Sequence, residues 1–280
     1  MSDFVQQQSV ECRFDSSDSW VILSPIEQSI KRKIESVGTP LKDWDIQINY
    51  GIKTGFNDAF IISTEKRNEI LDNCSSDDER TKTAELIRPI LRGRDIVRYG
   101  YNWADLWLIA TFPSRHYDIE EFPAVKTYLL SYGKERLEQT GKKYIINGEE
   151  VKARKKTNNK WYETQDSISY WDDFNKPKIV WNRIASVKQF GLVESGIYIQ
   201  DSMHFIIGFN INYLCSILNS RLIQWLLSLI IGEAAGGNAG NADNIWNLNI
   251  PYTDSDSKLT DREVYSLYNL TEDEIKYVEK

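Results

Sequence analysis

The densest group of basic side chains lies near the middle of the sequence. Residues 142–160 contain two acidic residues and seven basic ones, namely Lys142, Lys143, Lys152, Arg154, Lys155, Lys156 and Lys160. Basic side chains at this density can neutralise the phosphates of a nucleic acid, and the aromatic pair that follows can stack on bases. The pattern predicts an exposed hairpin that contacts DNA through Arg154, Lys155, Lys156, Trp161 and Tyr162. The alternative is a loop whose charges only keep the protein soluble.

Two further segments carry side chains that can read the edges of base pairs. The fork of an arginine guanidinium matches guanine, and the amide of asparagine matches adenine. We therefore expect DNA contacts from residues 92–98 and 182–188, namely Arg92, Arg94, Arg98, Asn182, Arg183 and Lys188. The alternative for the arginines is a surface role in which they pair with Asp95 or Glu85.

The segment Gly51–Gly55 resembles a phosphate-binding loop, but it lacks the spacing of a nucleoside triphosphate site. Its two glycines permit a tight turn between strands. Around this turn, Lys53, Thr54 and Asn57 supply donors for phosphate oxygens, which predicts contact with the DNA backbone rather than base reading. A purely structural turn is the alternative.

No set of residues predicts catalysis. Glu150 and Lys152 match a short fragment of a common nuclease motif, and Asp118 or Asp166 could complete it. A nuclease needs carboxylates on adjoining strands around a metal, so a chance match within a charged segment is the better interpretation. The three cysteines and two histidines have no metal-ligand or disulfide spacing. We therefore predict no catalytic residue, no metal ligand and no cofactor in this chain.

The overall charge argues against a nucleic-acid partner until the charges are located. The net charge is −7 and the pI is about 5.1, but the segment after Pro251 contains eight acids and four bases. The acidic end therefore explains part of the low pI without affecting the basic middle. The N-terminus lacks a secretory signal, and the longest apolar run, Leu222–Ile231, is too short to span a bilayer. These features predict a cytoplasmic protein with no membrane partner.

Alternation and capping patterns predict the elements that position these residues. Helices are expected at 25–37, in one or two short pieces within 64–87, at 124–139 and at 210–231. Strands are expected at 44–50, 59–62, 107–111 and within 176–190, with a hairpin at 142–160.

Several segments, in order along the chain, resemble the TaqI-like C-terminal specificity domain of type IIG restriction-modification proteins and adenine-specific DNA methyltransferases. The matching segments are Trp20–Leu23, Gly51–Ile61, Ile87–Ile96, Trp161–Tyr162, Tyr170–Trp171 and Lys176–Trp181. Further on, Tyr213–Ser220, the glycine-rich loop at 236–240 and Leu248–Pro251 resemble the dimer-forming helix and exit loop of type I specificity subunits. The stretch Val264–Glu274 resembles the usual ending of such proteins, so the chain looks like a C-terminal part of a longer one.

The resemblance implies an α+β fold. A DNA target-recognition domain with a twisted mixed sheet and flanking helices is expected at 1–205. A helical spacer with an acidic tail is expected at 206–280, where helix 211–231 could form a homodimer.

The resemblance also implies a function. The chain would direct adenine-N6 methylation, and cleavage where present, in phage defence. The catalytic N-P-P-Y tetrapeptide is absent, so methylation with S-adenosylmethionine, and any Mg²⁺ chemistry, would belong to methyltransferase or nuclease domains outside this chain. The alternatives are a protein-interaction module and a standalone nuclease.

Overall fold

The computed structural model describes residues 23–183, 189–231 and 242–280, and these residues form two compact units. We call residues 47–182 and 189–207 the sheet unit, and residues 23–46, 183, 208–231 and 242–280 the helical unit. The predicted DNA-binding residue Lys188, the segment Trp20–Val21–Ile22 and the glycine-rich loop at 236–240 lie outside the described residues.

One four-stranded sheet of the sheet unit carries the predicted strand around Trp181. Its strands are β2 (Ile46–Tyr50), β10 (Lys178–Asn182), β11 (Gly191–Val193) and β13 (Met203–Gly208). Their order is β11-β10-β13-β2, and β10 is antiparallel to both β11 and β13. Lys178, Ile179, Val180 and Trp181 are all buried, as expected for a strand covered on both faces.

The second four-stranded sheet is mixed, as predicted. Its strands are β3 (Ile61–Ser63), β4 (Ile87–Leu91), β7 (Leu106–Ile109) and β12 (Tyr198–Ile199), in the order β12-β4-β7-β3. β12 pairs with β4 in parallel, whereas β7 is antiparallel to β4 and to β3. The aromatic ring of Phe174 stacks on Tyr198 at 4.7 Å and packs against Phe205 at 4.9 Å in the core of this unit.

Short helices flank these strands. They are α2 (Asn57–Phe60), α3 (Thr64–Asp72), α4 (Asp77–Leu86), α5 (Pro123–Leu130) and α6 (Lys134–Leu137). Two predictions are corrected here. The strand expected at 59–62 begins as helix α2, and the helix expected at 124–139 is divided in two because Gly133 has a φ of 85°, which no helix continues.

Two small hairpins project from the sheet unit. β5 (Ile96–Val97) pairs with β6 (Gly100–Tyr101), and β8 (Lys143–Ile146) pairs with β9 (Glu149–Lys152). The second is the predicted basic hairpin. Asn147 and Gly148 form its turn with φ values of 54° and 85°, the left-handed pair that a two-residue turn requires.

The helical unit begins with α1 (Pro25–Val37), at the predicted bounds. Ser24 and Glu27 form the capping box that starts it, and Ile30 and Ile34 are buried. The unit continues with β1 (Thr39–Pro40), α7 (Ile211–Leu218), α8 (Arg221–Ile231), α9 (Ala242–Trp246), β14 (Asn249–Ile250), α10 (Asp261–Leu267) and α11 (Glu272–Val278). Within the described ranges, no helix is long and apolar enough to cross a bilayer.

The single long helix expected at 210–231 is corrected to two helices, which meet at Asn219 and Ser220. The Asn219 amide donates to the carbonyl of Cys215, and the Ser220 hydroxyl donates to the carbonyl of Ile217 and accepts from the N–H of Ile223. These side chains therefore end α7 and start α8.

The acidic end of the chain is ordered and packs on α8. Arg221 lies 3.7 Å from a carboxylate oxygen of Asp261 and 3.6 Å from one of Glu279, and Trp225 contacts the ring of Tyr277. Much of the apolar surface of α8 is thus covered within the chain. The homodimer through helix 211–231 remains a prediction, and so does the functional boundary at 205.

Glu274 ties α11 to α1, and its protonation is expected to set the acid stability of the helical unit. Burial acts to raise the pKa of Glu274, but hydrogen bonds from Lys33, the N–H of Thr271 and the Ser29 hydroxyl lower it to about 2. A carboxyl group whose pKa is lowered by folding stabilises the fold above its unfolded pKa of 4.5, and this stability is lost as the pH falls towards 2.

We therefore expect Glu274→Gln to lower the free energy of unfolding by about 2 kcal/mol at pH 7. The difference in the free energy of unfolding between this variant and the native protein should become smaller as the pH falls below 4.5. Urea unfolding at a series of pH values from 7 to 3 measures it. Glu272→Gln removes an exposed carboxyl group from the same helical turn and should change little. If Glu274→Gln lowered the free energy of unfolding by the same amount at every pH, the lowered pKa of Glu274 would not be the cause of the stabilisation.

Candidate nucleic-acid interface

Arg154 is buried at the base of the basic hairpin and organises its surroundings. The side chain is 5% exposed, and its guanidinium donates to four backbone carbonyls, those of Thr54, Leu137, Trp161 and Glu163. Burial lowers the pKa of Arg154 to about 10, an effect that the charge of Glu163 opposes, so the group stays protonated at pH 7. The expectation that Arg154 contacts DNA is corrected, because its donors already bind the protein backbone.

The loop from Gly51 to Asn57 is held against this arginine. The buried Thr54 hydroxyl donates to the Asn57 side chain and accepts from the N–H of Phe56, so Thr54 fixes the loop rather than facing a ligand. Gly55 has a φ of 78°, and a Cβ there would lie 2.7 Å from Oε1 of Gln165. The positive φ therefore favours glycine at this position, and a larger residue would also displace the end of the Gln165 side chain. Lys53 and Asn57 remain exposed.

A cavity of about 420 Å³ opens between this loop and the hairpin. Its walls are formed by Lys53, Gly55, Phe56, Arg136, Lys152, Ala153, Arg154, Lys155 and Gln165. We call it the cationic cleft, because these residues include five cations and no acid. Four of the cations, Lys53, Arg136, Lys152 and Lys155, are exposed. The volume falls in the range of about 300–1,000 Å³ that is typical of ligand sites.

Phe56 and Arg136 line the cleft but were not predicted from the sequence to face DNA. Arg136 lies over the ring of Phe56 at 4.3 Å from its centroid, which gives the cleft a cation held on an aromatic face. Lys152 belongs to the basic segment 142–160, whose charges were expected to neutralise phosphates. Arg136 and Phe56 are 80 residues apart in sequence, so no local pattern could have paired them.

The two aromatic residues after the hairpin differ in their exposure. Tyr162 is buried, and its hydroxyl donates to the carbonyl of Tyr117. Trp161 is half-buried and meets Tyr162 edge to face at 5.4 Å. Tyr162 is therefore corrected to a core residue, while Lys155 and Lys156 are exposed as predicted.

The arginines after β4 divide into positioning and exposed residues. Arg92 forms a bidentate pair with Asp95, at 2.8 and 3.1 Å, which confirms the alternative of pairing. Arg94 is exposed, and Arg98 is exposed with its guanidinium 4.9 Å from the centroid of the Tyr99 ring.

Asn182 and Arg183 end the strand β10. The amide of Asn182 donates to the carbonyl of Gly93 at 2.7 Å, so this side chain fixes the loop that carries Arg94. Arg183 is exposed directly after it. Lys178, one of the basic residues at 176–188, is buried and donates to the carbonyls of Phe174 and Glu194.

The fragment Glu150–Lys152 lies on the exposed strand β9. Glu150 pairs across the hairpin with Lys143 at 2.9 Å. In the described part of the chain, His, Cys, Asp and Glu side chains nowhere come together in the groups of three that a metal site needs.

Two solved structures match the chain. The type IIG restriction endonuclease BpuSI matches with a TM-score of 0.50 and 15% identity over 91% of this chain and 28% of that one. The type IIL restriction-modification enzyme MmeI, solved in complex with DNA, matches with a TM-score of 0.42 and 12% identity over 76% of this chain and 24% of that one. The chain thus spans about a quarter of the length of each.

No curated protein matches the sequence. The sequence does match the TaqI-like C-terminal specificity domain over residues 88–237, which is more than half of the chain. That segment contains the basic hairpin, the buried Arg154 and the exposed arginines after β4. The chain therefore belongs to the family of TaqI-like C-terminal specificity domains.

Proposed function

We propose that this chain is the DNA target-recognition module of a restriction-modification protein. The observation that carries the proposal is the cationic cleft, in which four exposed cations from separate elements surround one cavity without an acidic neighbour in its walls. Membership in a specificity-domain family supports the same conclusion. A cleft lined by one sign of charge concentrates the opposite charge, and the DNA backbone is the densest anion that such a module meets.

Within this proposal the side chains divide by role. Lys53, Arg136, Lys152 and Lys155 bind phosphates and orient the protein without reading sequence. The exposed Arg94 and Arg183 read base edges, because a guanidinium can donate two hydrogen bonds to guanine. Asn182 and Arg92 position the Arg94 loop through their bonds to Gly93 and Asp95.

The same proposal includes the catalytic domains with which this chain would act. We infer that methyltransferase domains outside these 280 residues supply S-adenosylmethionine chemistry at adenine N6. Cleavage with Mg²⁺ would likewise come from a nuclease domain outside them. The site of action would be the cytoplasm, in defence against phage DNA.

We expect the purified chain to bind duplex DNA weakly, with little sequence preference. The logarithm of its affinity should fall with the logarithm of salt concentration by about 0.9 for each neutralised phosphate, hence by about 3 to 4 for the four cleft cations. Fluorescence anisotropy between low and moderate salt measures this slope. An acidic protein of the same size is the control for non-specific association. Absence of binding at low salt would refute the proposal and favour a protein-interaction module, and binding without salt dependence would rule out the cleft cations as its source.

A further inference from the structure

A second, smaller cavity lies in the sheet unit and shares no residue with the cationic cleft. Its volume is about 60 Å³, and its walls are formed by Glu85, Arg88, Ala110, Phe112, Arg115, Tyr117, Trp171, Asn175 and Tyr198. This space is far below the range of about 300–1,000 Å³ found for drug-sized ligands, but it holds a few waters or one small polar group.

Two guanidinium groups converge on this cavity. Arg88 projects from β4, and Arg115 comes from the short turn after Phe112. Both arginines line the cavity together with Tyr198. Burial raises the pKa of Tyr198, and the charges of both arginines oppose that rise. Neither arginine forms a hydrogen bond or an ion pair with another side chain of the described residues.

Aromatic rings hold Arg115 in place. Its guanidinium carbon lies 3.8 Å from the centroid of the Trp171 ring and 5.6 Å from that of Tyr117. Stacking fixes the plane of the guanidinium while leaving its N–H donors at the edge, where an oxyanion can accept them. The Tyr198 ring is itself fixed by stacking on Phe174 at 4.7 Å, so the cavity floor is rigid.

The neighbouring acids do not neutralise the two arginines by contact. Glu85 lines the cavity but is exposed, and neither it nor Asp172, whose charge also acts on Tyr198, pairs with Arg88 or Arg115 within 4.0 Å. Two cations that share a small cavity repel each other, and a bound anion relieves this repulsion.

We propose that the cavity between Arg88, Arg115 and Tyr198 is a site for a single phosphate-type oxyanion. Arg88 and Arg115 donate to its oxygens, as arginine does in paired hydrogen bonds with phosphate. The Tyr198 hydroxyl adds a neutral donor. The group bound is either a phosphate of the DNA backbone or a free phosphate, and the site does not depend on the cleft or on the proposed function.

The test is calorimetric titration of the 280-residue chain with inorganic phosphate at constant ionic strength. Arg88→Gln or Arg115→Gln removes one charge-assisted donor and should weaken phosphate binding at least about tenfold. Arg262→Gln, which removes an exposed arginine of the helical unit, is the matched control and should bind as the native chain does. Glu85→Gln should strengthen binding about threefold by removing a like charge, a gain that a misfolded variant cannot produce.

Equal phosphate binding by the native chain and by both arginine variants would overturn the proposal, as would absence of binding to the native chain. A DNA titration of the same variants then separates the two sources. Weaker DNA binding by Arg88→Gln and Arg115→Gln, with Arg262→Gln unchanged, identifies a backbone phosphate. Unchanged DNA binding together with abolished phosphate binding identifies a free phosphate ligand.

Discussion

Arg154→Met is expected to lower the free energy of unfolding of the sheet unit by about 3–5 kcal/mol, because it leaves buried polar groups without partners. Arg154 donates to four carbonyls in three separate segments of the chain, those of Thr54, of Leu137, and of Trp161 and Glu163. Methionine fills a similar volume but donates no hydrogen bond. Urea unfolding followed by circular dichroism measures the change.

Two comparisons make this result specific to Arg154. Lys155→Met changes the adjacent exposed residue by the same chemistry and should cost less than about 0.5 kcal/mol. Arg154→Lys keeps the charge, but one ammonium group cannot donate to all four carbonyls. Its free energy of unfolding should therefore lie between that of Arg154→Met and that of the native protein. An unfolding free energy for Arg154→Met equal to that of Lys155→Met would show that the guanidinium does not organise this region.

The second large effect is expected on DNA binding. Changing Lys53, Lys152 and Lys155 together to Gln removes three of the four exposed cations of the cationic cleft. The affinity for every duplex should fall by about 100-fold or more at low salt, and the salt slope should decrease by about 0.9 for each phosphate that is no longer neutralised. Anisotropy titrations over a series of salt concentrations give both quantities.

Matched controls separate this effect from net charge and from base reading. Changing the exposed Lys42, Lys258 and Lys280 to Gln alters the net charge equally but lies in the helical unit, and should leave the affinity nearly unchanged. Arg94→Ala should relax the preference at one base position by about 1–3 kcal/mol, measured with single-base-changed duplexes in a protein that contains the partner domains. Equal losses of affinity in the cleft and control triple variants would rule out the cleft as the DNA-binding surface.

The sequence alone determined the elements with strong local signals. Ser24, Pro25 and Glu27 define the start of α1 by capping, and Asn147–Gly148 defines the hairpin turn by its tolerance of positive φ. The alternating apolar pattern located β10. The ordered motifs also identified the family, which the match over residues 88–237 confirms.

Where the local sequence signal was ambiguous, tertiary packing determined the secondary structure. The apolar stretch 59–62 suits a strand or a buried helical turn equally, and the structure uses both. The charged ending, expected as a tail, forms α10 and α11 because each has its own capping box and an apolar face for α8 to cover.

The tertiary structure alone determined which basic residues face solvent. Sequence gives every arginine and lysine the same charge, but Arg154 and Lys178 are buried where backbone carbonyls converge, and Lys53 and Lys155 are exposed nearby. Arg136 and Phe56, or Arg88 and Arg115, meet only because non-adjacent segments fold onto one surface. A binding site depends on distances between such segments, and those distances are set by long-range packing of the sheets, which local residue patterns do not encode.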